Sequence, residues 1–280
     1  VTLPLLSDHP GKRATERFWL LYTPVWGAIA GVVMLGGFAD HWGDVPLMIL
    51  GVGLAIGAVV GPFWVRPSES RKLPWHQSAA FKCVLSVVLL SFGLNYTQTP
   101  FFFDVLHMHY GFNATWTIDR NPIFLYFMTV PYFATYFVLC TMTFRGVRRW
   151  LQDSPRPVLY AGMAAAPFAV AFLETLLNAN PFLEGLFCYD DMALMYTFGT
   201  FAYGTAFCLI LPVWMTIDES AGKSMPWHYV GAFTLAALYA DLILIDIYRY
   251  GLAPYVTTVI DNAPGLRDFG ANCLGPLPPG

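Results

Sequence analysis

"VPLMILGVGLAIGAVVGPFWV", residues 45–65, runs for about six helical turns without a charged side chain. At 1.5 Å per residue such a helix reaches about 30 Å, the thickness of a bilayer's hydrocarbon core. Asp44 stands before it and Arg66-Pro67 after it, so both ends are marked. The stretch reads as a membrane span, and similar apolar runs are drawn around it at 18–38, 79–97, 122–144, 157–178, 193–217 and 229–249. Proline and glycine punctuate the connections, while Pro24, Pro131 and Pro167 fall inside spans, where they predict kinks. The predicted fold is an all-α integral membrane protein, a bundle of about seven transmembrane helices. Residues 1–280 read as one helical domain.

Composition agrees. The 280 residues are 56% hydrophobic and only 12% charged, about half the charged share of a soluble domain. A net charge of −3, with no basic patch interleaved with aromatics, predicts no nucleic-acid partner. The expected surroundings are membrane lipids, in an endoplasmic reticulum membrane or a bacterial inner membrane. Of the 15 Lys and Arg residues, 12 lie before span 1 or around the connections 2–3, 4–5 and 6–7. Only Arg120, Arg249 and Arg267 belong to the other side. The bias predicts a cytoplasmic N-terminus and an outer or lumenal C-terminus. Cys83, Cys140 and Cys208 sit in apolar runs as small core residues, whereas Cys188 and Cys273 share the outer side, where a disulfide is an option.

Helical rise turns sequence into depth. Glu174 lies about 24 Å from the inner start of its span, Asn95 about as deep in its own, and Asp246 about 26 Å deep. Tyr126 and Tyr196 enter the same layer from the outer ends of their spans, and Tyr96, Asn178 and Arg249 belong to it. Two readings compete. In one, Glu174 or Asp246 pairs with Arg249 in a structural polar knot. In the other, the layer lines a cavity for an apolar ligand with one polar or reactive end, the default for intramembrane acids. Asp241 is about 140° around the helix from Asp246, so the two should not share a face. Asp218 and Glu219, on the inner connection, read as a solvated face, and the pair His107 and His109 reads as loop surface.

Several chemistries are disfavoured. No lysine lies well inside a span to anchor a retinal Schiff base, and no histidine pair sits mid-membrane for a haem. Cysteine and histidine spacings suggest no metal, and no glycine-rich nucleotide loop is present. Cofactor-free acid–base chemistry remains, or binding and transport.

Six stretches in order together resemble the cycloeucalenol cycloisomerase family of cyclopropyl sterol isomerases. They are "KRATERFWLLYTPVW" (12–26), "NYTQTPFFFDVL" (95–106), "LETLLNAN" (173–180), "MYTFG" (195–199), "IDIYRYGLAP" (245–254) and "NCLGPLP" (272–278). The chain departs from the family at Pro100, where members carry histidine, and at Asp104, where they carry a basic residue. The resemblance implies opening of the 9β,19-cyclopropane of a sterol to an 8-ene without a redox cofactor, the sterol being taken from the bilayer. Glu174, standing where the family's L-E-T lies, is then the first candidate acid, and Asp246 the second, as acid, base or partner of Arg249. Tyr96 and Tyr196 are candidates to stabilise a cation. Tyr22 and Trp26 match family positions, in packing or in holding the far end of the sterol. Asn95 is a candidate to hold the 3-hydroxyl or to tie two helices, and Asn178 completes the set. The alternatives are a sterol double-bond isomerase, and a sterol or lipid binding or transport protein without chemistry.

Overall fold

The computed structural model describes residues 5–263 and 265–266. Among them are seven helices long and apolar enough to cross a membrane: α1 (Pro10–Leu35), α2 (Asp44–Trp64), α3 (Ala79–Asp104), α4 (Ile123–Trp150), α5 (Arg156–Asn178), α6 (Met192–Thr216) and α7 (Trp227–Tyr255). The chain is an integral membrane protein. Large apolar side chains such as Leu21, Val32, Ile49, Ile56, Leu235 and Tyr239 stand exposed along its helices, as a lipid-facing perimeter requires.

Local chemistry fixes the helix starts. The His9 ring accepts from the Lys12 amide ahead of Pro10, and the Ser78 hydroxyl accepts from the Phe81 amide at the head of α3. The helices overrun the predicted spans because polar residues at their ends face inward. Helix α3 continues past residue 97 through Gln98, Thr99 and Pro100 to Asp104, and these positions are buried or half-buried. Helix α2 packs closely on α4, where a Cβ on Gly51 would lie only 2.6 Å from the Phe124 carbonyl oxygen. Two of the motifs are wound as π-turns, Met195–Gly199 in α6 and Ile247–Leu252 in α7.

The end of the bundle that carries the N-terminus is closed by buried ion pairs. Lys12 meets Glu219 at 2.7 Å, Arg145 meets both Glu16 and Glu219 at 2.7 Å, and Lys82 meets Asp218 at 2.7 Å. Asp218 is 2% exposed, so the solvated inner face expected for Asp218 and Glu219 is wrong. Lysine and arginine from α1, α3 and α4 converge on that connection, and these pairs supply the compensation that burial of charge demands. Burial pushes the Glu219 carboxyl up, but hydrogen bonds and charge from Arg145 and Lys12 outweigh it and hold it below its ordinary value.

The opposite end carries a cap. Strand β1 (Met108–Tyr110) pairs antiparallel with β2 (Phe187–Tyr189), with Tyr110 opposite Phe187. His107 and His109 are buried here and are not loop surface: His107 Nε2 lies 2.6 Å from the Thr258 carbonyl oxygen and His109 Nε2 2.9 Å from Asp190. Asp104, 1% exposed, is the hub, holding Arg120 and Arg249 at 2.7 Å each and the Ala263 amide at 2.9 Å. The segment after α7 is thereby strapped across this end. Cys273, and with it the pairing expected with Cys188, lies outside the described residues.

Candidate functional site

Between α3, α4, α5 and α6, beneath the cap, lies a cavity with about 890 Å³ of atom-free space counted out to its open side. Its wall is mostly aromatic and aliphatic. Tyr132, Phe133 and Tyr136 come from α4, Tyr203 and Phe207 from α6, and Phe102 from α3. The rings form a continuous belt: Phe102 and Tyr203 centroids are 4.8 Å apart, Tyr136 and Phe207 5.1 Å, and Phe133 and Tyr136 5.5 Å. Tyr110 and Tyr189 close it from the cap. Burial, reinforced by the Glu174 carboxyl, pushes both of these phenols above their ordinary value, so they stay neutral donors.

Glu174 faces this belt from α5 and supplies the carboxyl of the wall. It is 8% exposed, and its Oε1 accepts from Asn178 Nδ2 at 2.8 Å, one helical turn on. Oε2 is enclosed and has no hydrogen-bond partner among the described residues. The hydroxyls of Tyr136 and Tyr203 interact with the carboxyl from the facing helices. A carboxyl in such surroundings is least costly when it is protonated or when those hydroxyls donate to it, and this one is turned toward the cavity.

The other expected site residues divide. Asn95 and Asn178 line the cavity with Glu174. Asn95, however, is saturated: its Nδ2 donates to the Ser91 carbonyl at 2.7 Å and to Thr129 Oγ1 at 2.6 Å, and its Oδ1 accepts from Asn121. It ties α3 to α4. Trp26 backs the wall, with its ring 4.4 Å from Tyr132 and its indole N–H donating to Thr135 at 3.1 Å. Tyr22 is a tie between α1 and α2, packed against Gly57 and donating to the Leu54 carbonyl at 2.9 Å. The Tyr196 hydroxyl donates to the Ala179 carbonyl, so it fixes the turn after α5 and does not line the cavity.

Three expectations are corrected. Asp246 is exposed and lines no part of the cavity, because the face of α7 that packs on α3 carries Asp241 instead. Arg249 pairs with Asp104 and Asp261, not with Glu174 or Asp246, since the π-turn through Ile247–Leu252 carries it to the strap. Tyr96 is 57% exposed on the outer face of α3. The depth count said nothing of the azimuth of these residues.

Sequence reasoning missed Tyr110, Tyr132, Tyr136, Tyr189, Tyr203 and Gln98. A signal was present on α4 and α6, where Tyr132 with Tyr136 and Tyr203 with Phe207 recur at a spacing of four, one helical face each. For the two cap tyrosines there was none.

Comparison with known proteins adds one relationship. The chain is 28% identical over 257 residues, 90% of its own length and 90% of the other's, to the cycloeucalenol cycloisomerase of Arabidopsis thaliana. The family resemblance of the motifs is borne out. The chain is similar to that enzyme along nine-tenths of its length. No family model and no solved structure matches it. Glu174, Asn178, Tyr196 and Arg249 all fall inside stretches that carry the resemblance, yet only the first two reach the cavity.

Proposed function

We propose that the protein is a cyclopropyl sterol isomerase that opens the 9β,19-cyclopropane ring, with Glu174 as its acid. The observation that carries this reading is one carboxyl, the only one among the described lining residues, set in a belt of aromatic rings inside a cavity of a membrane protein. A sterol is an apolar ring system with one hydroxyl, which suits such a wall. The kinship with cycloeucalenol cycloisomerase supports an isomerase of that kind.

The steps balance without a redox partner. The Glu174 carboxyl gives its proton to C19 as the C9–C19 bond breaks, leaving a tertiary cation at C9 and a carboxylate. A C8–H bond then breaks, its electron pair forms the 8-ene, and the proton returns to an oxygen of Glu174. Both reacting positions lie on the β face of the ring system, so one carboxyl can serve as acid and then as base. A neutral carboxyl is a weak acid for a cyclopropane, and stabilisation of the cation must supply the difference. Aromatic faces contribute about 0.5–2 kcal/mol each when desolvated, and Tyr132, Tyr136, Tyr203 and Phe207 are positioned to do so. Asn178 holds the acid's other oxygen and fixes its rotamer. The basic bias of the sequence supports an orientation with the charge knot cytoplasmic and the cavity toward the outer or lumenal leaflet.

Membranes containing the protein, incubated with a 9,19-cyclopropyl sterol in deuterated water, should yield an 8-ene with deuterium in the 19-methyl group by mass spectrometry. Unchanged substrate across cycloartenol- and cycloeucalenol-type sterols would refute the reading and leave a binding or transport role.

A further inference from the structure

A second buried carboxylate stands behind the cavity wall and takes no part in the chemistry above. Asp241 on α7 is fully buried and lines no part of the cavity. Both of its oxygens lie 3.1 Å from Nε2 of Gln98 on α3. Gln98 does line the cavity. Its amide is committed at one end: the NH2 group is the end turned to Asp241, within 3.1 Å of both oxygens, and an ionised Asp241 holds it there because a carboxylate can only accept. The carbonyl end, Oε1, is left over, and it accepts no hydrogen bond among the described residues.

The neighbouring polar groups of the wall are spent on the protein itself. Asn95 is saturated by Ser91, Thr129 and Asn121, Thr99 Oγ1 accepts from Asn121 at 3.2 Å, and Thr129 Oγ1 donates to the Tyr126 carbonyl at 3.2 Å. Gln98 is thus the amide on the α3 wall with an acceptor to spare; Asn178 Oδ1, which also accepts nothing among the described residues, stands beside the acid itself on α5. Gln98 also lies at the depth of the acid, on a different helix of the wall. Helices α3 and α5 start from the same end of the bundle, and Gln98 lies about 28 Å along the first and Glu174 about 27 Å along the second. Helix α4 packs against both. A ring system held in the cavity at this depth meets Glu174 from α5 and Gln98 from α3.

We propose that Gln98 is the recognition residue for the substrate's hydroxyl, its Oε1 accepting the hydrogen bond from the sterol 3-hydroxyl, and that Asp241 is the positioning residue that fixes the amide so that the cavity presents an acceptor. The inference rests on the sterol reading above and deepens it by naming the specificity: a 3-hydroxy sterol, a donor, is taken in preference to a 3-keto or 3-O-methyl sterol, which cannot donate. Asp241 is buried at the cost of its desolvation, and a fixed amide orientation is what that burial provides.

The test uses the full chain in detergent micelles or lipid nanodiscs, with matched 9,19-cyclopropyl sterols bearing a 3β-hydroxyl, a 3-ketone or a 3-methyl ether. Dissociation constants are read from tryptophan fluorescence quenching, and ring opening is followed in parallel. The wild type should bind the alcohol about 100-fold more tightly than either analogue, since a site built to hydrogen-bond a hydroxyl rejects ligands that lack it. Gln98→Met should abolish that ratio and raise KM more than it lowers kcat. Asp241→Asn, which permits either amide orientation, should reduce the ratio to about 10-fold or less. The wild-type ratio needs no variant, so misfolding of either one does not rescue the inference. Equal binding of alcohol and ketone by the wild type, a preference for the ketone, or an Asp241→Asn protein that keeps the full ratio would each overturn it. Ring opening without discrimination sinks this inference alone; discrimination without ring opening sinks the isomerase reading alone.

Discussion

Replacing Glu174 by Gln removes the transferable proton and almost nothing else. The amide has the same shape, and its Oε1 can keep the 2.8 Å hydrogen bond from Asn178. The new NH2 occupies the place of Oε2, which has no partner to lose. An unpaired buried NH2 costs about 1–3 kcal/mol, reduced where the Tyr136 or Tyr203 hydroxyl accepts from it. Global stability should therefore fall by no more than that, and sterol binding should be nearly unchanged. The rate should not. General acids contribute about 10²–10⁴-fold, or about 3–5 kcal/mol at 1.36 kcal/mol per tenfold, and the upper part of that range is expected because no second carboxyl among the described residues lines the cavity to stand in. The assay is single-turnover ring opening of a bound cyclopropyl sterol in deuterated water, with thermal unfolding measured on the same preparation. A rate within about tenfold of wild type would refute Glu174 as the donor. A variant that loses its unfolding transition together with its activity would show instead that the carboxyl is needed for packing.

Four further outcomes follow from the geometry. Tyr203→Leu removes one face of the aromatic belt and should slow ring opening by about 5- to 30-fold, with Tyr203→Phe milder, checked by the same single-turnover rates; equal effects of the two would point to the hydroxyl, not the face. Arg145→Met strands Glu16, which has 0% side-chain exposure, and should destabilise the bundle by about 3–5 kcal/mol in a detergent unfolding titration; an unchanged midpoint contradicts the charge knot as a closure. Gly51→Ala drives a methyl group to 2.6 Å from the Phe124 carbonyl and should cost about 1–3 kcal/mol by the same titration, whereas Gly53→Ala, which meets nothing within 4 Å, should cost little. Glu219, held below its ordinary 4.5 by Arg145 and Lys12, should contribute stability that is full above that value and lost as pH falls through its lower folded one; the thermal midpoint of the wild type should exceed that of Glu219→Gln at neutral pH and converge on it only below about pH 4.5, and a gap that persists at about pH 3 would refute the pairing.

The outer strap shows why some features could not be read from sequence. Asp104 gathers Arg120, Arg249 and the Ala263 amide, partners separated from it by 16 to 159 positions, and no local pattern announces such a meeting. The π-turn through Ile247–Leu252 compounds this, because a helix read at 3.6 residues per turn assigns Arg249 the wrong azimuth. Asp241 and Asp246 exchanged importance for a related reason. Their separation around the helix was legible, but which of the two faced α3 depended on the packing of α7.

The sequence by itself determined that this is a seven-helix membrane protein. Apolar runs of bilayer length admit few other fates, and backbone groups in lipid must be satisfied within helices. It also placed Glu174 and Asp246 in one polar layer, since helical rise gives depth without knowledge of neighbours, and its motifs carried the resemblance that put Glu174 first. Only the tertiary structure decided which residues share the cavity with that carboxyl. Azimuth, partner choice and saturation of hydrogen bonds are properties of packed helices, and through them Asn95 became a tie, Arg249 a strap and Gln98 a lining residue of the acid's cavity.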